Sequence, residues 1–310
     1  LERLTARNET EALIMAERKS KLCSVSDLAE QIPDGARVAF GGFAVYQKPM
    51  AVVREIARQR KRHLTIVGTV HSMDADMLIG AGCVDRIETS YVGLEKYGLA
   101  PNYRRAVQNG KVTVAHYPEM LAWDRFRADR EGWPYWPCYS LGGCEGVLET
   151  LDIIEYHCPV SGRRVWALPA AQPDVVVIHG YRGDCYGNIQ LQQHSMLPQS
   201  MDVEIARACG TVLASVENLV KNDAVRQEPQ FTLIPAFKTQ AVAYAPFGSH
   251  PLSTLSAVRE DELHFSIYVE AAKSEETFRA YLEKYVYGTK DEEEYGQLIG
   301  SERLLELKED

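Results

Sequence analysis

The sequence predicts an α/β fold: an open, mostly parallel sheet with helices on both faces, followed by a helical C-terminal extension. Three observations carry that expectation. Short apolar runs alternate with segments of helical periodicity from Ser24 onward, which is the rhythm of a parallel sheet covered on both faces. The run Asp34 to Pro49, D-G-A-R-V-A-F-G-G-F-A-V-Y-Q-K-P, packs a turn, a buried strand, a glycine loop and a helix start together. Beyond about Leu255 strand-like runs give way to helical patterns alone.

Taken in order, Ser24 with Asp27 makes a capping box before the apolar positions Leu28, Ala29 and Ile32, so a helix opens the regular structure. Asp34-Gly35 suits a tight turn, since Gly tolerates positive φ. Val38 to Phe40 form a strand, and Gly41-Gly42 follow at its carboxyl end, where open α/β sheets bind ligands. Pro49 is placed to start a helix that buries Val52, Val53, Ile56 and Ala57. Further strands are expected at Leu64 to Val70, Arg86 to Val92, Lys111 to His116, Arg164 to Leu168, Val175 to His179, Thr211 to Val216 and Gln240 to Tyr244. Helices fit at Asp74 to Gly80, Pro101 to Gln108 and Pro118 to Arg130. Residues 133 to 163 break the rhythm and read as a long loop, with the aromatic run Trp133 to Trp136 expected near a subunit boundary. Glu275 to Tyr287 and Asp291 to Lys308 read as helices. The organisation expected is an N-terminal extension over 1 to 23, the α/β domain over 24 to 255, and the helical extension over 256 to 310 packed on that same domain.

Composition narrows the function. With 310 residues and 45% apolar content the chain can bury a large core without disulfides. Its seven cysteines show no C-x-x-C pair, and no histidine has metal-ligand spacing to a second His or Cys, so no metal site is expected. A net charge of -9 disfavours nucleic-acid binding, which depends on basic phosphate contacts. No secretory signal and no membrane-length apolar run is legible, so a soluble cytoplasmic protein is expected. The basic run Arg58 to His63 reads as a solvated helix end.

The Asp34 to Pro49 pattern resembles the first signature of the family I coenzyme A transferases: Asp-Gly, two free positions, three apolar residues, Gly-Gly-Phe and a later Pro. One position departs, with Gln47 where the family usually has Gly; the α subunits of glutaconate CoA-transferases share that departure. The likeness continues through Asp76 to Gly80, Val175 to His179 before Asp184 to Asn188, Asp202 to Ala206, and Ala245 to Pro251. The resemblance implies a sheet of the CoA-transferase/sugar-isomerase type and an α-type subunit. Acyl-CoA and a carboxylic acid, short-chain or dicarboxylic, would be its substrates, CoA being a substrate and not a tightly bound cofactor.

In that family a Glu within Ser-Glu-Asn-Gly attacks the thioester. This chain lacks the signature, since Glu217-Asn218 lies between Val216 and Leu219. The resemblance therefore places the nucleophile on a β-type partner. This chain would supply a substrate pocket and oxyanion donors, with Gly41, Gly42 and Phe43 foremost. Ser72 and Asp74 can hydrogen-bond a substrate oxygen, although Asp74 suits a helix cap equally. Gly142, Gly143 and Cys144 match a family loop that approaches the active site; a buried structural thiol is the other reading of Cys144. Glu95 follows a strand end and matches the acid/base Glu of the ring-opening hydrolases of steroid breakdown, a branch of the family, while an exposed loop Glu is the alternative. A non-enzymatic metabolite-binding domain is the remaining alternative.

Overall fold

The computed structural model describes residues 18–141, 152–191 and 197–309. A ten-stranded sheet forms its centre. Along the main path the strands run Leu22–Cys23, Thr239–Tyr244, Val212–Leu219, Val175–Gly183, Arg37–Phe40, Leu64–Val67, Val84–Thr89 and Thr113–His116, every neighbouring pair parallel. Two short antiparallel pieces, Ile189–Gln190 and Thr232–Ile234, extend beside Val175–Gly183.

The order of strands fixes where a ligand can enter. From Arg37–Phe40 the chain winds outward through Leu64–Val67 and Val84–Thr89 to Thr113–His116. It then returns to pair Val175–Gly183 on the other flank of Arg37–Phe40 and winds the opposite way. A sheet whose winding reverses leaves a crevice at the carboxyl ends of the two strands flanking the reversal. Gly41 and Gly42 sit at one of those ends.

Local sequence accounts for the elements that frame the crevice. Ser24 and Asp27 form the expected capping box, each side chain bonded to the other's backbone N–H at 3.0 and 2.9 Å. Val38, Ala39 and Phe40 are buried on both faces, as a central parallel strand requires. Pro49 precedes the helix Met50–Arg58, which carries Val52, Val53 and Ile56 into the core.

Several expectations change. The expected strands Leu64 to Val70 and Arg86 to Val92 each break, and their ends Val70–His71 and Tyr91–Val92 pair in a small parallel sheet of their own. Residues 133–163 are not simply a loop: Tyr135–Cys138 and Ile154–His157 flank Arg164–Pro169 in a separate antiparallel three-stranded sheet, so Arg164–Pro169 leaves the main sheet. Trp136 packs there against Leu168 and its neighbours, half-buried within the chain, while Trp133 is exposed. The helix end at Arg58 to His63 is not merely solvated either. Arg58 donates to the Val286 carbonyl at 2.9 Å and Thr289 at 3.1 Å, and Arg60 lies 4.3 Å from the Tyr287 ring centre. These cations tie the sheet's helical layer to the C-terminal helices.

That extension comprises Glu262–Ala272, Glu275–Leu282, the wider turn Glu283–Tyr287, Glu292–Ile299 and Ser301–Glu306. Phe265, Tyr268, Phe278, Tyr281, Tyr285 and Tyr295 enter the same apolar core as Val38, Val52 and Ile66. Gly300, at φ 103°, splits the expected Asp291 to Lys308 helix in two.

Candidate active site

The glycine loop is held by contacts within the chain. The Gly41 N–H donates to the Val177 carbonyl at 2.8 Å, the Gly42 N–H to Asp202 Oδ1 at 2.7 Å, and the Phe43 N–H to the Tyr46 carbonyl at 3.0 Å. All three donors that the sequence offered to a substrate oxygen thus have internal acceptors. Gly42 adopts φ +74°, and a Cβ there would lie 2.4 Å from the Tyr46 carbonyl oxygen. A Cβ on Gly41 would lie 2.2 Å from Asp202 Oδ1. The close approach that requires these glycines is made by the loop's own backbone and by a buried carboxyl.

Asp202 comes from the helix Leu197–Ala208 and is fully buried. Burial pushes its carboxyl up to about 7, against the opposing pull of the Gly42 N–H, the Lys48 charge and the Gln47 amide. Gln47 reaches the same carboxyl at 3.4 Å and the His179 carbonyl at 3.1 Å. Its backbone sits at φ +58°, which explains why a family pattern would place Gly there.

Ser72 and Asp74 lie beneath this loop and have no exposed surface. Asp74 accepts from the Ser72 N–H at 2.6 Å, meets His71 Nδ1 at 2.7 Å and pairs with buried Lys48 at 3.4 Å. Burial raises the Asp74 carboxyl, but the Lys48 charge, His71 and the Ser72 N–H together outweigh it and hold the group well below the usual carboxylate range. Burial drives the His71 imidazole down, Lys48 adds to this, and Asp74 opposes it. Among the described residues His71 Nε2 and Ser72 Oγ have no hydrogen-bond partner. Asp74 lies in the first turn of the Met73–Gly80 helix and accepts from the backbone N–H of the cap residue Ser72, whose own side chain makes no cap bond.

A cleft of about 500 Å³ opens at the carboxyl edge, beside the loop. Phe43 and Val70 form one wall, Ser90, Tyr91 and Glu95 a second, and His116, Tyr117, Pro118 and Glu119 a third. Phe43 and Glu95, chosen from separate sequence segments, meet in it. Glu95 is exposed, at φ +51°, on the single turn Glu95–Tyr97 that follows the Tyr91–Val92 strand. The glycines, Ser72 and Asp74 support the wall from behind, while Gly142, Gly143 and Cys144 lie outside the described residues. Sequence reasoning missed His116 and Glu119, whose only signal was their position at the last residue of a strand and the first of the helix that follows it. It also missed the role of Asp202 and Lys48, which are brought to the loop from distant or looping segments. Among the described residues no three His, Cys, Asp or Glu side chains gather as a metal site, and no helix is long and apolar enough to cross a membrane.

Glu217, the nearest thing to the missing nucleophile, lies near the end of the Val212–Leu219 strand but is buried. Its Oε1 accepts the Phe247 N–H at 2.9 Å and its Oε2 faces His179 Nε2 at 3.3 Å, while His179 Nδ1 meets Ser215 Oγ at 2.9 Å. Both carboxylate oxygens are engaged inside the fold.

A reversed-winding parallel sheet with a carboxylate-lined cleft at its carboxyl edge marks an α/β protein that takes a small molecule at that edge. The chain belongs to the coenzyme A transferase family, whose model matches residues 24–245. It is 28% identical to one subunit of the glutaconate CoA-transferase of Acidaminococcus fermentans over 93% of this chain and 95% of that one. The crystal structure of that organism's glutaconate coenzyme A-transferase superposes with a TM-score of 0.87, covering 94% of this chain and 96% of the other. An uncharacterized protein of Archaeoglobus fulgidus is 38% identical over 89% of this chain, which spans 61% of that protein's length. The cholesterol ring-cleaving hydrolase IpdA subunit of Mycobacterium tuberculosis is 25% identical over 87% of this chain and 94% of that one.

Proposed function

We propose that this chain is the α-type subunit of a heteromeric CoA transferase that moves CoA between an acyl-CoA and a carboxylic acid, with the nucleophilic Glu supplied by a β-type partner. The observation that carries the reading is Glu217. A nucleophile needs a free carboxylate at a strand end facing substrate, and the carboxylate nearest the family's nucleophile pattern is buried here with both oxygens occupied. The partner's Glu would attack the acyl thioester, expelling CoA thiolate and leaving a mixed anhydride. The thiolate then attacks the enzyme-side carbonyl, releasing the acyl carboxylate and forming an enzyme–CoA thioester. The acceptor acid takes CoA by the same two steps reversed. This chain contributes the cleft walls around Phe43, Tyr91 and His116.

The purified chain is expected to transfer no CoA by itself and to acquire transfer on mixing with its β-type partner. Robust turnover by the isolated chain, with contamination excluded, overturns the split-site reading.

A second reading has one observation in its favour: Glu95 presents an exposed carboxylate to the cleft, where it can serve as acid/base for hydrolytic ring opening of a CoA thioester. The likeness to the IpdA subunit supports it. Glu95→Gln separates the two, since a hydrolase should lose its rate by about 10²-fold or more, whereas a transferase using the partner's Glu should retain most of its kcat.

A further inference from the structure

We infer that the cleft accepts an acyl group whose far end is neutral, an aliphatic or aromatic monoacyl chain and not a dicarboxylyl one. This rests on the transferase reading and narrows its substrate class.

The lining has two chemistries. Phe43, Tyr91 and Tyr117 give it aromatic walls, and Glu95 and Glu119 bring two exposed carboxylates. Among the described residues His116 is the only base in the lining, so at most one positive charge faces two negative ones. No Lys or Arg lines the cleft among the described residues, and the cations around it are engaged elsewhere. Arg125 lies behind Tyr117, 4.0 Å from the ring centre, and pairs with Glu88 at 2.6 Å. Lys96, next to Glu95, pairs with Glu262 at 2.5 Å and Glu260 at 3.5 Å. Lys48 is sealed beneath the loop against Asp74.

The helix Glu119–Arg130 begins at the cleft, and a helix N-terminus favours anions. Its first residue, however, is Glu119 itself, so the chain's own carboxylate already stands in that favourable field. A substrate with a second carboxylate would bring that charge beside Glu95 and Glu119, where like charges at close range oppose each other with no Lys or Arg among the described lining residues to offset them. An apolar tail meets no such opposition and gains roughly fourfold in affinity for each methylene it buries.

Valeryl-CoA and glutaryl-CoA, both five-carbon acyl donors, isolate the terminal charge. The complex of this chain with its β-type partner is titrated with each to obtain Kd, and kcat/KM is measured for CoA transfer to acetate. The expected result is a preference for valeryl-CoA of about tenfold or more, narrowed at least threefold in Kd by Glu119→Gln. Equal or better use of glutaryl-CoA overturns the inference, as does a preference that Glu119→Gln leaves unmoved. If neither thioester passes CoA to acetate, the transferase reading fails, and the ratio of the two Kd values still decides whether the cleft selects a neutral end.

Discussion

Gln47 shows how a single residue can both strain a loop and fasten it. A side chain at φ +58° costs backbone energy that Gly would avoid, of order 1 kcal/mol. In return its amide reaches the His179 carbonyl and the Asp202 carboxyl, linking the glycine loop to both. Asp202 then becomes the group that holds the glycine loop against the Leu197–Ala208 helix. Its folded-state value of about 7 lies above the ordinary 3.8, so between those limits the folded protein holds a proton that the unfolded chain releases. That contribution to stability is complete below about pH 4 and is lost as pH rises through 7. The slope is roughly 1.4 kcal/mol per pH unit within the window. Asp202→Asn cannot titrate, so its urea midpoint should gain on wild type as pH rises from about 5 to about 9. Parallel pH curves for the two proteins would show that Asp202 does not carry this linkage.

At the level of elements, the C-terminal helices do more than cover the sheet. Phe265, on Glu262–Ala272, stacks on Tyr97 with ring centres 4.1 Å apart and planes 9° from parallel. Tyr97 in turn bonds Glu260, and Lys96 bonds Glu262. The turn that presents Glu95 is therefore buttressed by the extension. Deleting a fully buried aromatic ring removes its transfer energy and leaves a cavity, so Phe265→Ala should lower stability by about 3 to 5 kcal/mol. In molecules that remain folded kcat/KM should fall mainly through a higher KM, because the turn beside the Tyr91 and Glu95 wall of the cleft loses its support. Chemical denaturation and kcat/KM measured on the same preparation check both parts, and a loss under about 1 kcal/mol would contradict the shared core.

Across the whole molecule, buried titratable groups set a pH profile with two regimes. Burial lowers the imidazoles of His71, His250 and His264, the last to about 3, so the unfolded chain takes up protons below its ordinary 6.5 while the folded one resists. That favours folding at higher pH. Burial raises Asp76, Asp129 and Asp202, which favours folding at lower pH, for Asp202 over the range from about 4 to 7. The two sets oppose each other there. Asp74, Glu88 and Asp261 are also pushed up by burial, but their Lys, Arg and His partners hold all three low, and they act in the same direction as the histidines below about pH 4. Urea midpoints should therefore change little from about pH 7 to 5 and drop steeply from about 4 to 3. A uniform slope across the whole range would refute this balance.

The sequence alone determined the elements whose signals are local. The capping box at Ser24, the Val38 to Phe40 strand with its glycines, the Pro101 to Gln108 helix and the family pattern all depend on neighbouring residues, and near-neighbour sterics and periodicity decide them. It also pointed to Phe43 and Glu95 as residues just past strand ends, because strand ends are visible as the end of an apolar run, and both line the same cleft. Only the tertiary structure decided what those residues face. Gly42 meets an Asp 160 positions away, Asp74 is drawn under the loop by Lys48, and Glu217 is occupied by His179 and Phe247. It likewise decided that Arg164–Pro169 pairs outside the main sheet, since an apolar run records burial but not its partner strand. Pairing and burial between distant segments depend on how the crossovers close, and no local pattern encodes that closure.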